Sequence, residues 1–226
     1  MIKYLIKFVS KEKYADDLLS GKLFMHCAKY YHDLEKKYGP GQGDLREGAL
    51  FPNAAIYQNI YFPIYCTYMV KDEDIIDGQV IIDKRVIQDF DCQQGYMVLI
   101  PFDLLEQVLP TADTGGYAMD GMEVWYGIPA QDDIDKMFKS ENALNLKVKN
   151  PYFRYQKEYR LVVYKNLYQD SFPECLQEER TFTCSLAKPI TDIAKKIPIS
   201  YLQETDIGFV LKLIDIVQGG QDVIVT

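Results

Sequence analysis

Phosphate-binding glycine loops, paired-cysteine half-sites and long apolar runs are all missing from this sequence, and each gap excludes a class of function. No Walker A, GxGxxG, HExxH, GxSxG or EF-hand pattern occurs, so P-loop hydrolysis, dinucleotide-binding turns, zincin proteolysis, hydrolase elbows and EF-hand calcium binding have no footing. The cysteines are Cys27, Cys66, Cys92, Cys175 and Cys184, and the nearest two are nine positions apart. That spacing holds no CxxC zinc half-site, and an odd, scattered set makes a poor disulfide framework. Reduced thiols in a cytoplasmic protein are the expectation. The only histidines, His26 and His32, are six apart, a spacing that does not put both on one helix face, so no metal site is expected. No window approaches the roughly 18 apolar residues of a membrane span, and Lys3 and Lys7 break the apolar opening that a signal peptide needs. We expect a cytoplasmic chain with no membrane partner.

Basic charge is also in short supply. Twenty-five basic against thirty-three acidic residues leave −8 at neutral pH. Such a field repels phosphate backbones, and no basic cluster exceeds two consecutive residues, as at Lys36-Lys37, Lys84-Arg85 and Lys195-Lys196; nucleic acid is not an expected partner. What the chain has in abundance is tyrosine: eighteen, beside eleven Phe and one Trp. With 48% hydrophobic residues, 226 positions are enough to enclose a sizeable core.

The pattern along the chain alternates strands and helices irregularly. Ile2 to Val9 reads as a strand, Ser10 as an N-cap, Lys11 to Leu19 as a helix with Gly21 at its C′ position, and Lys22 to Met25 as extended. Tyr30 to Lys37 suggests helical turns stopped by Gly39-Pro40-Gly41. The apolar Ile56 to Val70 stretch predicts a buried strand with Pro63 at its start or at a bulge, followed by an acidic turn at Lys71 to Gly78. Asp83 is placed to cap a helix over Lys84 to Phe90. Gly95 to Ile100 predicts a strand, and Pro101 an N1 residue opening a helix to Leu109. Strands are expected over Met122 to Ile128, Tyr155 to Tyr164 and Thr181 to Ser185, and in a closing pair, Phe209 to Val217 and Val223 to Val225. Helices are expected over Asp132 to Lys139 and Ile190 to Lys196. Leu144, Leu146 and Val148 alternate with polar residues. Several strands follow one another without a crossover helix, which predicts an α+β fold: one domain over 1–226, with a central mixed, largely antiparallel sheet flanked by short helices.

Two places concentrate charge among apolar neighbours. The turn Gly43-Asp44-Leu45-Arg46-Glu47-Gly48 lets backbone and side chains converge, since its glycines permit tight geometry. In Tyr155-Gln156-Lys157-Glu158-Tyr159-Arg160, a strand would put Gln156, Glu158 and Arg160 on one face, lining either a cleft or a cross-strand ion ladder. Arg suits bidentate anion recognition, and of only five, Arg46 and Arg160 lie inside these motifs while Arg154 adjoins one.

These segments resemble an uncharacterised group of bacterial, often mobile-element-associated cytoplasmic proteins, a domain-of-unknown-function family. The matching elements are Lys3-Tyr4, Gly21-Lys22-Leu23-Phe24, Gly43-Asp44 with Glu47-Gly48, Tyr65-Cys66, and Phe153 through Arg160. The resemblance implies an α+β domain in the cytoplasm and carries no activity. Gln156-x-Glu158 is also similar to the Gln/Glu-x-Glu signature of ADP-ribosyltransferases, which implies NAD as cofactor, with Glu158 on the nicotinamide ribose. That class differs at other points: no Arg lies upstream of Arg46, and no Ser-Thr-Ser strand separates the two motifs.

Three functions follow from these readings. The preferred one is a non-catalytic recognition domain for a small nucleotide or a protein partner, with Asp44, Arg46, Glu47, Arg154 and Arg160 as binding residues. The alternative is a nucleotide- or NAD-using transferase or hydrolase in which Glu158 and Gln156 are catalytic. The third is a metal-dependent nuclease using Asp44, Glu47 and Glu158. The recognition and enzyme readings both gain if the two charged motifs meet in space.

Overall fold

The computed structural model describes residues 1–38, 49–51, 54–55, 61–127, 130, 132, 144–166 and 181–213. The Asp44-Arg46-Glu47 turn, nearly all of the 132–139 segment and the 223–225 strand lie outside them.

The opening run of β-branched and aromatic residues forms β1 (Ile2–Val9), and its pleat divides it between two cores. Leu5 enters one, while Ile6 and Phe8 enter the other. A short helix, α1 (Glu12–Leu19), buries Ala15 and Leu18 against the first core. Lys11 occupies the N-cap position with no side-chain cap, so Ser10 does not play that part. Gly21, at φ +91°, turns the chain into β2 (Lys22–Cys27) as expected. The helix α2 (Ala28–Tyr38) follows, then the short pair β3 (Ala49–Phe51) and β4 (Ala54–Ala55). The long apolar run becomes β5 (Pro63–Lys71) with Pro63 at its first position, where a missing N–H costs least.

The acidic segment after β5 contains a 3-10 turn and the two-residue β6 (Ile75–Ile76), which pairs with β7 (Gln79–Ile82). Asp83 accepts from the Arg85 N–H and caps α3 (Lys84–Asp89), as its position predicts. Next come β8 (Tyr96–Pro101) and α4 (Phe102–Val108); Pro101 ends the strand and is the N-cap rather than the first helical residue. The following strand, β9 (Tyr117–Glu123), begins five residues before the expected Met122 and ends short of Ile128, with β10 (Trp125–Tyr126) beyond it.

The run at 144–149 is a 3-10 turn leading into β11 (Val148–Lys149), and 151–156 is another 3-10 turn leading into β12 (Glu158–Asn166). The chain finishes with β13 (Thr181–Ser185), β14 (Lys195–Pro198), β15 (Gln203–Glu204) and β16 (Phe209–Lys212). The helix expected over Ile190 to Lys196 is instead a turn leading into β14. Ile190 and Ala194 are buried there, Lys195 and Lys196 pair with Leu99 and Val98, and a free sheet edge outweighs the helical pattern.

Eight strands make the main sheet, and every pairing within it is antiparallel; the parallel pair among the described residues is β10 with β11. The fold is α+β. The central feature is β5, whose one edge pairs with β12 and whose other edge is shared by β1 at Tyr68–Lys71 and β2 at Pro63–Ile64. The sheet therefore forks at β5. At the crotch, the Lys7 Nζ donates to the Cys66 carbonyl at 2.8 Å, filling an acceptor that neither branch reaches. On β12, Leu161 and Val163 are buried in the first core while Val162 packs in a third, so consecutive residues are enclosed on both faces. No helix among the described residues is long and apolar enough to cross a membrane.

Candidate functional site

The pleat of β12 sends Glu158, Arg160 and Val162 to one face, opposite Tyr68, Cys66 and Ile64 of β5. Tyr68 belongs to the second core, while Ile64 and Val162 belong to the third. Glu158 and Arg160 thus stand between two apolar clusters, and both are almost wholly shut off from bulk water: Arg160 is 0% exposed and Glu158 4%.

Burying an unpaired carboxylate is prohibitive, so its partners decide the site. Arg160 Nε donates to Glu158 Oε1 at 2.5 Å, and Lys149 Nζ donates to Oε2 at 2.7 Å. Arg160 also donates to the Leu146 carbonyl at 2.5 Å. Lys149 donates to Gln156 Oε1 at 2.8 Å, and the Glu158 N–H donates to the Tyr126 hydroxyl at 2.7 Å. Burial pushes the Glu158 carboxyl up, but the Arg160 and Lys149 charges beside it, with hydrogen bonds from Arg160 and Cys66, prevail and hold it well below the usual carboxylate range. It is a fixed anion. Cys66, opposite Arg160, has its thiol pushed far above the ordinary range by burial.

Gln156 reaches this cluster by a different route from the one its sequence predicts. Residues 151–156 are a 3-10 turn, not the start of a strand, and β12 begins at Glu158. The Asn150 side chain accepts from the Tyr152 N–H, Pro151 sits at the first helical position, and Lys157, at φ +38°, ends the turn. A Pro-started turn and a left-handed residue override the β-propensity of Tyr152 and Tyr155. The turn buries Phe153 and Gln156 and presents Tyr152 and Arg154 outward. Tyr152 is 58% exposed, and Arg154 donates to the Tyr126 carbonyl at 3.3 Å. Tyr155 donates to Asp89 through its hydroxyl, and the Arg85 guanidinium carbon lies 3.9 Å above its ring.

Of the residues singled out from sequence, Gln156, Glu158 and Arg160 come together and Arg154 lies on the outer side of the same turn. Asp44, Arg46 and Glu47 fall outside the described residues. Sequence reasoning missed Lys149, which is 6% exposed and binds both Gln156 and Glu158. Its one signal was position, immediately before the Asn150-Pro151 turn that folds the chain back on itself.

A cavity of about 30 Å³ adjoins the cluster, with Glu158, Gln156 and Lys7 on its wall and Phe8, Tyr68 and Phe90 as aromatic lining. It has room for about two water molecules. Among the described residues no group of three or more His, Cys, Asp or Glu side chains is arranged to hold a metal. Elsewhere, β2 and α2 carry an aromatic stack: the His26 ring lies 3.8 Å from that of Tyr30, edge-on to Tyr31 and Phe24, which is 53% exposed. Comparison of the chain with protein-family models, with curated proteins and with solved structures found no match.

Proposed function

We propose that the chain is a non-catalytic recognition domain whose binding surface is the 150–157 turn, with the ion cluster beneath it as scaffold. The observation that carries this reading is the engagement of both Glu158 oxygens, by Arg160 at 2.5 Å and Lys149 at 2.7 Å, in a residue only 4% exposed. A carboxylate that stabilises a cationic sugar must present an oxygen to it, and ligand sites run to roughly 300–1,000 Å³. The adjoining cavity is about tenfold smaller than that.

The residues aimed at solvent suit recognition. Tyr152 offers exposed aromatic surface, half-buried Tyr155 stands edge-on to it with its hydroxyl on Asp89, and Arg154 and Arg85, the latter paired with Asp83, flank them. Aromatic faces with guanidinium neighbours suit a small nucleotide, by stacking on the base and pairing with phosphate, and also an aromatic-bearing protein partner. The buried network keeps this surface in shape through Gln156 and Phe153, which anchor the turn from below.

Nicotinamide release from NAD, measured beside the melting temperature for the wild type and Glu158→Gln, tests the reading. We expect no release from the wild type and a lowered melting temperature for the variant. Release by the wild type that Glu158→Gln abolishes, with melting unchanged, would install Glu158 as a catalytic residue of an NAD-using transferase.

A further inference from the structure

The small sheet β15-β16-β7-β6 lays one face on the second core through Val80, Ile82 and Leu211. Alternation puts Ile76, Gln79, Ile81, Gln203, Val210 and Lys212 on the other face. A sheet face turned to water carries polar residues at such positions, yet three of these six are β-branched aliphatics. Ile81 and Val210 are direct cross-strand partners, and Ile76 is diagonal to Ile81, within side-chain reach. The 205–208 turn abuts them: a Cβ on Gly208 would stand 3.0 Å from Ile81 Cγ2, and Ile207 next to it is 70% exposed. Met1 apart, Ile76, Ile81 and Ile207 are all the exposed large aliphatic side chains among the described residues. Gathered on one small sheet, they form the kind of patch that interaction surfaces use.

Charge decides what this face takes. Asp77 follows Ile76, Asp206 precedes Ile207, and Glu73 lies on the turn into β6; all three are exposed, and none has an ion-pair partner among the described residues. The other acids nearby are already held, Asp72 by Lys3, Asp74 by Lys157 and Glu204 by Lys84. Lys212 is the one cation among the six face positions. A second copy would set three free acids against three. The chain beyond Leu213 carries Asp215 and Asp222 and no Lys or Arg. Either occupant would add like charge to like, which disfavours it. We propose that this face docks a partner protein through a short amphipathic helix whose aliphatic stripe is bordered by Lys or Arg. Four strands at about 4.8 Å spacing are about 14 Å across, and one helix is about 10 Å wide. The inference does not depend on how the 150–157 turn is used.

Fluorescence anisotropy on the full chain tests it. The probe is a labelled synthetic peptide of about fourteen residues, with Leu at i, i+3, i+4 and i+7 spacing and Lys on either side of that stripe. A twin carries Glu in place of every Lys. The Lys peptide should bind, and the Glu twin should bind at least about tenfold more weakly. Ile76→Ser with Ile207→Ser should weaken the Lys peptide at least about tenfold with melting unchanged, since two aliphatic side chains no longer leave water on docking. Asp77→Asn with Asp206→Asn, which removes charge alone, should weaken it by about threefold or more. Phe24→Ser, on β2, should leave the affinity as it is. Equal affinity for the two peptides, or an equal loss with Phe24→Ser, would overturn the proposal. So would a wild-type dimer in sedimentation that the double serine variant dissolves, because the occupant would then be a second copy. Binding that appears only in Ile224→Ser would make the chain's own end the occupant, and would overturn it as well.

Discussion

Lys149 and Glu158 are joined by a 2.7 Å ion pair that closes the 150–157 turn like a clasp, with a buried charge on each side. Breaking a buried pair by removing one partner costs about 3–5 kcal/mol, because the other charge is stranded. Glu158→Gln removes the charge that Lys149 and Arg160 both contact, and should lower unfolding free energy by about 3 kcal/mol in urea titration. A change within experimental error would mean that the pair contributes nothing net.

Acid should expose the same pair. The folded-state pKa of Glu158 lies below its unfolded value of about 4.3. A depressed carboxyl contributes stability that is complete above the unfolded pKa and lost as pH falls. The difference between wild type and Glu158→Gln should hold constant from pH 7 to about 5 and shrink below pH 4. A difference that grows on acidification would reverse the assignment of Glu158 as the anion.

Tyr65 makes the opposite case. Its hydroxyl is buried and has no hydrogen-bond partner among the described residues. Burial holds the phenol proton on, far above the ordinary range. An unmet hydroxyl is a desolvation loss that folding has absorbed, so Tyr65→Phe should be neutral or raise the melting temperature by a few degrees. A loss above about 1 kcal/mol would show that the hydroxyl is satisfied after all.

Two glycines should differ in cost for a geometric reason. A Cβ on Gly95 would stand 2.1 Å from the Val9 carbonyl oxygen, whereas one on Gly121 would stand 2.1 Å from the Tyr159 hydroxyl. Backbone paired within β1 and β8 cannot retreat, but a side chain can be shortened. Gly121→Ala should cost about 1–3 kcal/mol as overpacking. Adding Tyr159→Phe should recover part of that loss, and Gly95→Ala should cost more than either. Equal melting temperatures for the two alanine variants would contradict this.

Much of this arrangement is legible in the sequence, and its gaps have physical causes. The Asp83 cap, the turn at Gly21 and the strand that carries Leu161 and Val163 follow from local chemistry and hydrophobic pattern, and hold. β-Propensity places Gln156 in the strand, but the turn's Pro151 start and the left-handed Lys157 decide otherwise. Ile190 to Ala194 has a helical spacing of apolar residues, yet a vacant edge on β8 draws the next residues into β14. Lys149 is one of twenty lysines, and its place before the Asn150-Pro151 turn does not by itself tell that distant parts of the fold enclose its charge.

The forked strand has a consequence for synthesis. β5 receives β1 and β2 from upstream, but its other edge waits for Glu158 to Val162. Between Lys71 and Val162 the ribosome adds ninety-one residues, roughly 5–20 s of translation. Through that interval the apolar segment Pro63 to Val70 has a bare edge, the kind of surface that pairs with other chains. Chains released after Tyr126 should accumulate as aggregates, whereas chains released after Asn166 have the strand that covers it. Translation speed between these points, rather than the stability of the finished fold, then governs the yield of native protein.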